Sequence, residues 1–147
     1  MKRFEFPLDN ILSLKRHDEN TVLAQYAAAV SELSKAKANA ILLKKRLTDE
    51  WRTHQEHLQN EPHSLSLTQT QSGWKYIEEK ISDAEEAINQ AETNVARLGG
   101  ELKERRQARK SLESYRSQRE RIHRTEFERL EQIELDGLAG QGPRQRY

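Results

Sequence analysis

From Trp74 to Leu102 nine apolar residues recur without error at steps of three and four: Trp74, Ile77, Ile81, Ala84, Ile88, Ala91, Val95, Leu98 and Leu102. This spacing keeps one stripe of an α-helix apolar and sets the a/d seam of a coiled coil. A strand would alternate with a period of two, and an irregular segment would keep no period at all. A second series, Val22, Tyr26, Ala29, Leu33, Ala36, Ala40, Leu43 and Leu47, follows the same rule earlier in the chain. Its phase runs back through Glu19, Lys15, Leu12 and Leu8, so it is polar between Leu12 and Val22, and forward in weaker form through Trp51, His54 and Leu58. Composition agrees with two narrow seams. Hydrophobic residues make up 34% of the 147 and charged residues 33%, against about 45–50% and about 25% in ordinary globular domains. That deficit excludes a compact globule but suits helices that bury one stripe and leave their other faces charged.

After Pro7 no proline occurs until Pro62, so one long helix is allowed over about 8–60. Asn60 to Gly73 (NEPHSLSLTQTQSG) holds Pro62, Gly73 and a Ser/Thr cluster without a helical period, and reads as a loop over about 61–73. A second helix is expected over about 74–138, followed by a frayed tail, 139–147, with Gly142-Pro143. Two long helices joined by a short loop bury their seams most simply as an antiparallel hairpin. The expected fold is therefore all-α: an antiparallel coiled-coil hairpin forming a single elongated domain over 1–147. A turn centred near Ser66 would set Leu58 beside Trp74, Leu33 beside Gly100 and Leu12 beside Arg121. A parallel dimer of extended chains is the competing arrangement. Gly99-Gly100, inside the second helix, either permits a bend or close crossing opposite Leu33 or is merely tolerated, at about 0.5–1 kcal/mol for each glycine.

Few chemical functions survive this reading. The chain has no cysteine, hence no disulfide or thiolate metal site. It has no apolar run of the roughly 20 residues that span a bilayer and no signal-peptide core in Met1–Pro7, which leads us to expect a soluble, cytoplasmic protein without direct membrane insertion. No phosphate loop, GxSxG, HExxH or dinucleotide fingerprint is present, so an enzyme is not expected, and no cofactor. His54, His57 and His63 are the one set that suggests metal, but two histidines sharing a helix face without an assured third ligand read better as polar residues near a helix end.

The net charge of +1 hides a polarised distribution. Lys103 to Arg124 carries nine basic residues against three acidic ones, and the stretch from Glu126 to Asp136 carries five acidic against one basic. The basic block falls on the seam itself, at Arg105, Arg109, Arg116 and Arg119 around Leu112. It allows three readings: a solvated helix with pairs such as Glu101–Arg105 and Glu120–Arg124, a phosphate track for nucleic acid, or docking to an acidic protein surface. A lone Tyr115 and the neighbouring acidic block disfavour nucleic acid. Docking is favoured, because seam arginines left unpaired would cost stability. Phe4, Phe6, Leu8, Ile11, Leu12 and Leu14 at the start of the first helix either cap the hairpin against Ile122, Phe127 and Leu130 or form an exposed apolar end for a partner. Tyr76, out of register beside the in-register Trp74, is a binding candidate near the loop.

The opening Phe4, Phe6, Leu8, Ile11, Leu12, Leu14, Lys15, the Trp74-x-Tyr76-Ile77 start of the second helix, and the Arg-rich segment ending in Glu131, Leu135, Asp136, Leu138 resemble the FliJ family over nearly the whole chain. The resemblance implies a cytoplasmic stalk of the bacterial flagellar type III export apparatus, similar to the central stalk of rotary ATPases and peripheral to the cell membrane through that apparatus. Implied partners are the hexameric export ATPase, the cytoplasmic domain of the export gate, and export chaperones. By analogy the ATPase would be met by Leu8, Ile11, Leu12, Arg119, Arg124, Phe127, Leu130 and Leu135, and the gate by Trp74 and Tyr76. Alternatives are the equivalent stalk of a virulence-type secretion system, a nucleic-acid-binding coiled coil and a generic scaffold.

Overall fold

The computed structural model describes residues 3–60 and 67–140. Two helices, α1 (Asp9–Asn60) and α2 (Leu67–Gly140), pack against each other as a helical hairpin, and no strand occurs among the described residues. Helix α1 begins behind Pro7, with the Asp9 amide donating to the Phe6 carbonyl (3.1 Å) and the Leu12 amide to that of Leu8 (2.9 Å). Asp9 in this first turn complements the helix dipole. Helix α2 begins one heptad earlier than its seam, so Leu67–Gly73 are helical where a loop was expected. Pro62, His63, Ser66 and the tail from Gln141 lie outside the described residues.

The described residues fall into two compact units. In the unit Thr21–Leu102, both seams are the covered faces. Val22, Ala29 and Ala40 of α1 and Ile77, Ala84, Leu98 and Leu102 of α2 are buried, and the seam residues between them are half-buried. Alanines at the contact let the helix backbones approach closely and leave room for Leu, Ile and Val between them. Towards Asn60 the core becomes aromatic: Trp51 and Trp74 lie 4.8 Å apart by ring centroid, and His54 stands edge-on to Trp74, also at 4.8 Å. His54 is thus engaged by indole rings.

The pairing of this unit differs from the expected one by a heptad. Tyr26, not Leu33, lies against the glycine pair: a Cβ on Gly99 would sit 3.4 Å from the Tyr26 ring. Sliding one helix by seven residues returns every a and d residue to the seam, so the apolar period cannot choose between the two pairings. The extra heptad of helix at Leu67–Gly73 is what shifts the register.

The other unit contains Met1–Asn20 and Lys103–Tyr147. Leu12 and Glu19 are its buried α1 seam residues, facing an α2 stripe in which Arg109, Leu112 and Arg116 are half-buried. Beyond Arg116 the covered stripe passes to Glu120, His123 and Phe127, while Arg119 is exposed. The phase slips because α1 starts at Asp9 and what continues past it is the non-helical arm Arg3–Pro7, which imposes no heptad. The arm lays Phe6 against Tyr115 (5.9 Å) and Phe4 against His123 (5.5 Å). The apolar start of the chain therefore caps this unit, but Ile122 and Leu130, expected under it, remain exposed.

Neither Gly99 nor Gly100 has a positive φ, and a Cβ on Gly100 would meet nothing within 4 Å. Gly100→Ala should therefore raise helix stability by about 0.5–1 kcal/mol, read as a higher midpoint in thermal melts by circular dichroism. Gly99→Ala should also be tolerated, because its methyl comes only into ordinary contact with Tyr26.

Candidate functional site

The seam of the unit formed by Met1–Asn20 and Lys103–Tyr147 carries charge where a coiled coil ordinarily carries leucine. Glu19, only 9% exposed, accepts hydrogen bonds from the Arg109 guanidinium, from Nε and from Nη2, the latter at 3.3 Å, and pairs with Arg106 at 3.4 Å. Arg109 continues to Glu113 (2.9 Å), which Arg16 of α1 binds from the other side (3.1 Å). Two further bridges flank this ladder: Asp18 with Arg105 at 3.9 Å, and Asp9 with Arg116 at 3.1 Å, the latter also 3.8 Å from Glu120.

These bonds remove the premise for reading three of the four seam arginines as a docking surface. Arg105, Arg109 and Arg116 are each paired with an acid of α1, so no partner is needed to satisfy them. The local pairs also differ from expectation. Glu101 takes Arg97 and Glu120 takes Arg116, each four residues earlier, while Arg105 reaches across to Asp18. Cross-helix acids compete with neighbours along the same helix, and spacing within one helix does not show them. Glu19 was visible as a polar seam position; its partner depended on a register that the period does not specify.

The ladder shifts its own ionisation. Hydrogen bonding from Arg109 is the main cause that lowers the Glu19 carboxyl below the usual range, against an opposing cost of burial, and Arg16 does the same for Glu113. Arg109 is raised, chiefly by its bond to Glu19. Paired charges of this kind tolerate burial because each keeps charge-assisted hydrogen bonds.

The candidate docking residues are distributed unevenly. Leu12 is 2% exposed and packs inside, so it presents nothing to a partner, and Leu8 and Phe127 are half-buried. Open grooves lie on either side of the Arg3–Pro7 arm. One gathers Arg116, Arg124 and Phe127 beside Phe4; the other gathers Leu8, Tyr115, Arg119 and Ile122 beside Phe6. Ile11, Arg119 and Arg124 are exposed. Leu130 and Leu135 line neither groove: they are 58% and 55% exposed, with Ile133 and Leu138 similarly uncovered, on a part of α2 where every residue from Glu128 to Gly140 is exposed. In the unit Thr21–Leu102, Trp74 is half-buried in the aromatic cluster, whereas Tyr76 is exposed with Lys80 over its ring at 5.5 Å.

Two helices joined by a heptad seam, with a charged ladder in one unit, define an α-helical coiled-coil protein, and no helix among the described residues is long and apolar enough to cross a membrane. The family model described as Flagellar FliJ protein matches residues 4–146, and the chain belongs to that family. Membership makes it a component of the flagellar export apparatus. Neither a curated protein nor a solved structure matches the chain.

The lowered Glu19 and Glu113 carboxyls tie stability to pH. On acidification the unfolded chain takes up protons first, so the stabilisation is complete above the ordinary glutamate range, about pH 4.3, and drains as pH falls through the lower folded-state values. Glu19→Gln should therefore melt below the native protein at neutral pH, and the gap should close on acidification below that range, as measured by thermal melts across a pH series.

Proposed function

We propose that the chain is a non-enzymatic, cytoplasmic stalk of the flagellar type III export apparatus, which binds the hexameric export ATPase and links it to the export gate and to export chaperones. The observation that supports this reading is the uncovered end of α2 in a chain of the FliJ family. Four large apolar side chains, Leu130, Ile133, Leu135 and Leu138, are left without burial. Apolar residues clustered on an exposed helix are the ordinary mark of a protein contact. Ile11, Arg119 and Arg124 belong to the same unit and add exposed apolar and cationic groups. The ATPase contact proposed here consists of these residues with Leu8, Phe127, Leu130 and Leu135; Leu12 acts by holding the unit together. Tyr76 is the residue proposed for the gate, with Trp74 setting its place on α2. Its association with the membrane would be peripheral and indirect, through the apparatus.

The mechanism assigned to the stalk is differential contact. A stalk that touches ring subunits unequally in their nucleotide states shifts the equilibrium among those states, as any allosteric ligand does. The chain itself makes and breaks no bond.

Purified protein should bind the cognate flagellar export ATPase and change its hydrolysis rate. Leu130→Ala/Leu135→Ala should weaken that binding about tenfold or more while leaving helicity unchanged, because both side chains are exposed. Absence of binding, and no effect of the native protein on hydrolysis, would remove this reading.

A further inference from the structure

We infer that α1 and α2 have a second stable register, one heptad from the observed one, and that the hairpin is built to exchange between the two. This goes beyond the stalk reading and does not depend on it. Cross-helix ion pairs normally reject slippage, because a shifted helix would set the wrong charges opposite each other. Of six cross-helix ion pairs among the described residues, three have a chemical twin seven residues further along α2. Of the others, Asp18 would meet Leu112, Asp9 would meet His123, and Glu19 would exchange Arg106 for Glu113, which makes the second register the less populated one. Glu19 is bound by Arg109, and the residue one heptad on is Arg116. Arg16 binds Glu113, and one heptad on is Glu120. In the other unit Lys44 binds Glu85 at 3.5 Å, and one heptad on is Glu92. The bridge along α2 is duplicated as well, since Arg109–Glu113 and Arg116–Glu120 are both formed.

The apolar contacts follow the same rule. Phe6 packs on Tyr115 and Phe4 on His123; their counterparts one heptad on are Ile122 and Leu130. These are two of the large apolar residues that the observed register leaves exposed. The seams themselves are unaffected by a seven-residue step, as Trp74 to Leu102 repeats without error.

The slack for the movement is present too. Sliding α2 by a heptad, about 10 Å along its axis, requires seven residues to leave the start of the helix. Leu67–Gly73, LTQTQSG, is a heptad whose Thr, Ser and Gly residues form helix poorly and which lies before the unbroken series that opens at Trp74. In the second register these residues uncoil, the three ion pairs that have twins pass to them, and Phe6 and Phe4 cover Ile122 and Leu130. The exposed apolar end of α2 is thereby shortened, so the register sets how much of it is available. Discrete sliding of one packed helix along another is an established form of protein switching.

Zero-length coupling of amines to carboxylates reads the register in the unmodified chain, because Lys44 can join Glu85 in one state and Glu92 in the other. Peptide mass spectrometry should find both products, with Lys44–Glu85 in excess. Two variants should raise the ratio of Lys44–Glu92 to Lys44–Glu85 by about tenfold, the effect of removing two exposed-to-half-buried charge pairs or one turn of helix. Arg109→Gln/Glu113→Gln deletes the present ladder and keeps its twin. Gln71→Pro uncoils the first turns of α2 and keeps both ladders. Arg116→Gln/Glu120→Gln should abolish the Glu92 product. If the first variant loses helicity by circular dichroism, Gln71→Pro decides alone, since it lies outside both ladders. A Lys44–Glu85 product unaccompanied by Lys44–Glu92 in folded Gln71→Pro overturns the proposal.

Discussion

The bond between Glu19 and Arg109 is the constraint on which the pairing of the helices rests. An apolar heptad seam says which face of each helix is covered but is silent about which turn faces which. A buried carboxylate is not silent, because leaving it unpaired costs far more than misplacing a leucine. Glu19 must therefore find a cation, and Arg109 in turn holds Glu113 in reach of Arg16. The ladder converts a seam with many equivalent registers into one with few. It does so in the unit where the α1 seam is poorest in apolar residues, between Leu12 and Val22.

The covered faces were legible because their cause is local and periodic. From Val22 to Leu47 and from Trp74 to Leu102 no residue of the seam is exposed, as a period of three and four requires. Leu67–Gly73 were misread for the opposite reason. Their composition disfavours helix, and α2 propagates through them nonetheless, as cooperative elongation adds a hydrogen bond for each residue fixed. The heptad between the expected and the observed pairing came with them, because a longer α2 leaves fewer residues to join the helices, and among the registers this allows Glu19 selects the one that reaches Arg109. Past Arg116 the period no longer applies, for there a non-helical arm is the neighbour, and the side chains it covers follow Phe4 and Phe6.

The candidate site was legible only in outline. Clustering of Leu130 and Leu135 near the end of α2 could be read from the chain, whereas the burial of Leu12 followed from packing. The arginines were the more instructive case. Their number and seam positions were plain, but whether they were spent inside the molecule depended on Asp9, Asp18 and Glu19, about a hundred residues away in sequence. Charge blocks along a chain report composition, and only the fold separates internal pairing from a surface offered to others.

The core assembled from alanines has a mechanical consequence. Among the described residues no large side chain is fully buried, and the most covered positions of Thr21–Leu102 include Ala29, Ala40 and Ala84. There is consequently no central plug whose removal collapses that unit; cohesion is spread over successive layers, each holding only its neighbours. Such a structure resists and fails locally, in the manner of a repeat array, and opening one layer leaves the next nearly intact. A torque or tension applied at one layer would be borne by a series of similar weak links, which gives a helix pair compliance without a dedicated hinge.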